Sequence, residues 1–136
     1  MTVQHGGLTA RRWSSFSFDQ QILMIGNEMN RAGKLMAPAA ASPLLASYER
    51  VLALVDMTIQ VQERPGRRRE LLRWRDLIAS LAIAGTPEPL AHAAAFRCLL
   101  RFTPTASAQI PLVLASRPAP SRGEAREAAG PEKPCS

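Results

Sequence analysis

The stretch from Ser17 to Met36, SFDQQILMIGNEMNRAGKLM, decides the fold. Apolar or small residues recur in it at Phe18, Ile22, Ile25, Met29, Ala32 and Met36. At about 100° per residue, these alternating steps of four and three gather into an arc of about 80°, the stripe of a helix that buries one side. Asn27, Asn30, Arg31 and Lys34 face away. Ser17 and Gln20 stand at capping-box spacing, and Asp19 falls in the first turn, where the helix dipole favours an anion. Pro38 stops the helix, because the residue before a proline avoids the helical region. Gly26 and Gly33 lie beside the stripe. Each costs about 1 kcal/mol against alanine in a helix interior, and close approach of another helix backbone is the expected compensation.

Reading outward, residues 1–14 show no period and carry the Gly6-Gly7 pair; they are expected to form a flexible N-terminal arm. On the other side, Ser42-Pro43 has the form of an N-cap followed by a first-turn proline. It opens a second helix to about Gln62, with the stripe Leu44, Leu45, Tyr48, Leu52, Val55 and Ile59. Leu54, Met57 and Val61 fall on its opposite side, so this helix is apolar on two faces. Pro65-Gly66 is a turn pair. A third helix follows from Arg67 to Ala84, with the stripe Leu71, Trp74, Ile78 and Leu81 and with Gly85 placed to cap it. Thr86-Pro87 opens a fourth over 87–102. Residues 104–115 are read as a short irregular apolar segment, because Pro104 and Pro111 interrupt it. Residues 116–136 hold no apolar side chains beyond alanines and Cys135 and are expected to be disordered. The expected fold is therefore all-α: a small antiparallel up-down bundle of three to four helices over 15–103, with a disordered C-terminal tail. Short loops favour antiparallel neighbours.

Composition agrees. A chain of 136 residues leaves room for one domain, and 5% aromatics argues against an aromatic-rich sandwich. The net charge of +6 is unevenly spread. Between Arg64 and Arg75 stand Arg64, Arg67, Arg68, Arg69, Arg73 and Arg75 against a single acid, Glu70. Cations in the first turn of a helix oppose its dipole, by about 0.3–1 kcal/mol each. A bound phosphate offsets that cost, because helix-start amides and guanidinium groups both favour anions. Arg67, Arg68, Arg69, Arg73 and Arg75 are accordingly the candidate anion or nucleic-acid contacts. The competing reading is a screened surface in an arginine-rich, lysine-poor chain.

Other chemistry finds little support. The histidines are His5 and His92 only, and Glu-x-x-His is absent, so no metal site or cofactor is expected. His92 and Cys98 are six residues apart on one helix and do not share a face. His92 is read as a partly buried helical histidine. Two cysteines without C-x-x-C spacing suit neither a zinc site nor a disulfide framework, and the expected compartment is a reducing cytoplasm. The longest uncharged run is too short and too broken by proline to span a bilayer, so no membrane role is expected. What remains is surplus apolar surface: Leu23 and Met24 in the first helix, and Leu54, Met57 and Val61 in the second, beside the Gly26/Gly33 seam. Surfaces of that kind mark interfaces. The leading expectation is a small non-catalytic interaction module that associates with itself or another helical protein through its first two helices. Nucleic-acid or phosphate binding is the alternative, and an enzyme with a site shared across a dimer is a third reading without a motif.

Overall fold

The computed structural model describes residues 9–114, and among these the chain is helical with no strand. The elements are α1 (Ala10–Trp13), α2 (Phe18–Gly33), a 3-10 turn (Pro38–Ala40), α3 (Ala41–Val61), α4 (Pro65–Ile83), α5 (Pro89–Leu100), α6 (Pro104–Ser107) and α7 (Ile110–Val113). The helix expected from Ser17 is α2. Its capping box is complete: Ser17 Oγ accepts from the Gln20 amide at 3.2 Å, and Gln20 Oε1 accepts from the Ser17 amide at 2.9 Å. Ile22, Ile25, Met29 and Ala32 of its stripe are fully buried.

Several boundaries differ from the sequence reading, each for a local reason. α1 replaces the end of the expected flexible arm, because Trp13 is drawn completely into the core. Its indole Nε1 donates to Thr58 Oγ1 at 2.9 Å, and Gln21 Nε2 donates to the Trp13 carbonyl at 3.0 Å. The rest of that arm, residues 1–8, lies outside the described residues, as does the expected disordered tail over 116–136. α3 begins at Ala41 out of the 3-10 turn, so Ser42 and Pro43 sit inside its first turn, where backbone amides have no helical partner to lose. α4 and α5 each begin with proline at the first helical position, Pro65 and Pro89, rather than at Arg67 and Pro87. Gly85 follows the α4 cap with φ of +74°, a left-handed conformation that glycine adopts without strain. The segment expected to be irregular forms two single turns instead. Thr103 Oγ1 accepts from the Ala106 amide at 3.1 Å and starts α6, and Ala106 is fully buried.

The four long helices meet as successive neighbours: α2 packs on α3, α3 on α4, α4 on α5, and α5 back on α2. Their shared core is aliphatic, with Val51, Val55, Leu71, Ile78 and Leu99 fully buried. Along α2, Phe18 meets Phe102, Gly26 faces Phe96 and Leu100, and the Met29 carbonyl reaches His92. Partner numbers on and just beyond α5 thus fall as those on α2 rise.

Candidate functional site

Two polar regions stand out, one inside the molecule and one on its surface. The inner one is centred on His92, which is 4% exposed on α5. Its Nε2 lies 2.8 Å from the Met29 carbonyl, and its Nδ1 lies 2.8 Å from the Tyr48 hydroxyl. A carbonyl only accepts, so Nε2 carries the proton, and in the neutral ring Nδ1 accepts from Tyr48. These bonds tie α2, α3 and α5 together. Burial lowers the His92 pKa below its ordinary 6.5, partly opposed by the bond to the Met29 carbonyl. Burial, reinforced by the charge of Glu88, pushes the Tyr48 hydroxyl up to about 12. Both groups are fixed in their neutral forms near neutral pH. Every buried side-chain nitrogen and oxygen among the described residues has a hydrogen-bond partner, which makes this network a structural clamp.

The surface region includes the arginines, and the structure gives most of them internal work. The Arg67 guanidinium lies 4.5 Å from the centre of the Phe18 ring. Arg68 donates to the Gln62 carbonyl, one of the carbonyls left open where α3 ends. Arg73 pairs with Glu70 at 3.0 Å, and Arg75 grips Asp56 at 2.5 Å and 3.3 Å. The hydrogen bond to Asp56 raises the Arg75 pKa against the opposing effect of burial. Of the five candidates, Arg67 and Arg69 make no side-chain ion pair or hydrogen bond among the described residues, and Arg67 is engaged only with the Phe18 ring. The dipole penalty that drew attention to this cluster is thus offset for several members by protein groups, with no ligand needed.

What the linear sequence concealed is which other arginines lie nearby. The Trp13–Thr58 bond pins α1 to the end of α3, bringing Arg11 and Arg12 beside the α3–α4 turn. Phe18, under Arg67, stacks edge-on with Phe102 at 6.4 Å, which brings Arg101 to the same end. Among the described residues, Arg11, Arg12, Arg64, Arg67, Arg68, Arg69 and Arg101 fall toward this end of the helices, with Asp19, Glu63 and Glu70 as the carboxylates on the same segments. Arg11-Arg12 and Arg101 carry no local signal beyond their charge; only the packing relates them to the cluster.

The residues assigned to an interface are placed mostly inward. Leu54 and Met57 are 5% exposed and belong to the core. Leu23, Met24 and Val61 are partly buried against it. Gly26 is buried against Phe96 and Leu100 of α5, and Gly33 is approached by the His92 ring. The glycine compensation is therefore an approach of side chains from the same chain, not of another helix backbone. The surplus apolar surface of α3 is likewise explained by its position between α2 and α4.

Large apolar side chains are exposed elsewhere. A shallow pocket of about 210 Å³ lies between the start of α3, the end of α4 and the loop into α5. Leu44, Leu45, Leu81, Ala82 and Pro87 line it, with Tyr48 at its floor. Ile83 and Leu90 flank that loop and are 83% and 77% exposed. No cluster of metal-ligating side chains occurs among the described residues. Cys98 is disulfide-bonded and offers no thiolate. Disulfides persist in oxidising compartments, so this bond gives the cytoplasmic expectation no support. None of the described helices is long and apolar enough to cross a membrane. Comparison with protein-family models, curated proteins and solved structures gives no match.

Proposed function

We propose that the protein is a small antiparallel, up-down four-helix bundle that works as a non-catalytic interaction module and associates with a second copy of itself. The falling order of partners, from Phe102 just beyond α5 to His92 within it, supports the antiparallel arrangement. The observation that carries the functional reading is the apolar end of the molecule. There Leu45 lines the pocket, and exposed Ile83 and Leu90 stand at the helix ends on either side of the α4–α5 loop. Grouped at one end, such side chains form the kind of surface that marks an interface, and a matching patch on a second copy covers both at once. This moves the contact surface away from Leu23, Met24, Gly26, Gly33, Leu54, Met57 and Val61, whose apolar atoms serve the fold itself.

Light scattering after size exclusion tests the proposal at high micromolar concentration. The expected result is a dimer or larger species in the unaltered chain and a monomer in the Leu45→Ser, Ile83→Ser, Leu90→Ser triple variant. All three positions are exposed, so the variant retains its core. A monodisperse monomer of the unaltered chain sinks the reading.

A further inference from the structure

The arginines at the opposite end have no role in that reading. We propose that the surface formed by α1, the start of α4 and the end of α5 binds the phosphate backbone of a nucleic acid, through Arg11, Arg12, Arg64, Arg69 and Arg101. Each of these five is exposed, and none forms an ion pair among the described residues. They come from three elements remote in sequence, brought together by the Trp13–Thr58 bond and the Phe18–Phe102 contact. The site is therefore a property of the packed molecule. It rests on a convergence of charges, not on the helix start alone, and not on Arg73 and Arg75, which are neutralised by Glu70 and Asp56.

Charge complementarity selects the partner. Five unneutralised guanidinium groups spread over one end suit a row of repeating negative charges, and arginine presents a fork that matches phosphate oxygens in pairs. A lipid surface is the less fitting anion. Proteins held at a membrane surface set a broad apolar face beside their cations, whereas the two most exposed large apolar side chains described, Ile83 and Leu90, lie at the other end and the less exposed Leu72 and Leu112 are the ones nearer the arginines in the chain. The aromatic rings at this end are half-buried and engaged: Phe18 and Phe102 with each other, and Phe18 also under Arg67. No free ring is offered for base stacking, so recognition runs through phosphates and discriminates little between sequences. Self-association through the apolar end leaves this surface open, and the two proposals fail independently.

The experiment measures binding of the full chain to labelled duplex DNA and single-stranded RNA across a salt series, with anionic lipid vesicles in parallel. Five phosphate contacts give a slope of log affinity against log salt of about −4.5 on duplex DNA, or about 500-fold weaker binding between about 50 and 200 mM salt. The decisive variant is Arg11→Ala, Arg12→Ala, Arg101→Ala, which leaves the cluster from Arg64 to Arg75 intact. It is expected to bind more than about tenfold more weakly at about 50 mM salt, with a slope near −1.8. The pair Arg64→Ala, Arg69→Ala weakens binding by the same mechanism from the other side of the site. Circular dichroism confirms that each variant is folded. Which probe binds tighter separates DNA from RNA as the natural source of the phosphates. An unchanged slope in the first variant overturns the composite site. Failure of both nucleic acids to bind, or tighter binding to vesicles than to either, overturns the choice of partner.

Discussion

Replacing Tyr48 by phenylalanine isolates the buried clamp. In the native chain, the Tyr48 hydroxyl donates to His92 Nδ1 at 2.8 Å, while His92 Nε2 donates to the Met29 carbonyl at the same distance. Tyr48→Phe keeps the ring and removes the donor, so Nδ1 is left without a partner in a site that is 4% exposed. A buried acceptor deprived of its hydrogen bond costs about 1–3 kcal/mol. For a domain of this size each kcal/mol corresponds to a fall of about 4–8 °C in melting temperature. The companion measurement is pH dependence. Burial lowers the pKa of His92 in the folded chain. As pH falls below about 6.5, the unfolded chain takes up a proton that folded His92 resists, so stability is lost with acidity. Its contribution is fully present above that pH, and the slope approaches about 1.4 kcal/mol per pH unit at most. Urea unfolding followed by circular dichroism between about pH 5 and 8 reads both effects, above the range where ordinary carboxylates titrate. His92→Gln is expected to remove the slope. A Tyr48→Phe variant as stable as the native chain refutes the clamp, as does a slope that survives loss of His92.

Further substitutions probe the elements that position the surface. Gly26→Ala adds a Cβ at 3.5 Å from Leu100 and Phe96, ordinary contact distance, and removes helical glycine. It is expected to raise stability by up to about 1 kcal/mol, measured by thermal melting. A clear loss instead means that α5 packs closer to α2 than described. Ser17→Ala removes the Oγ that accepts from the Gln20 amide, while the residue-17 amide keeps its bond to Gln20 Oε1, and should cost about 0.5–2 kcal/mol in the same assay. Asp56→Asn, by contrast, removes an ion pair whose side chains are 52% and 35% exposed and should cost less than about 1 kcal/mol in urea unfolding. Trp13→Phe leaves Thr58 Oγ1 with no donor from α1. It should destabilise the chain by about 1–3 kcal/mol and quench little of the remaining Trp74 emission.

The sequence by itself determined the long helices. The recurrence from Phe18 and the Ser17–Gln20 cap are local signals that local backbone physics obeys, whereas Pro65-Gly66, read as a turn, opens α4 because proline suits the first helical position. The same physics shows why helix starts slipped by a few residues: several candidate caps and prolines compete within one turn, as at Pro87 and Pro89. The short elements obey no periodicity. α1 exists because a single tryptophan finds Thr58 and a pocket in the core 45 residues away. Tertiary structure alone decided which apolar faces are spare. Leu54 and Met57 look surplus on an isolated helix and are consumed by neighbours on both sides, whereas Ile83 and Leu90 are left uncovered at a loop. It also decided which charges are available, because the pairing of Arg75 with Asp56, the Trp13–Thr58 bond behind Arg11 and Arg12, and the Phe18–Phe102 contact beside Arg101 all join distant segments. Burial and charge are properties of neighbourhoods, and neighbourhoods are set by packing.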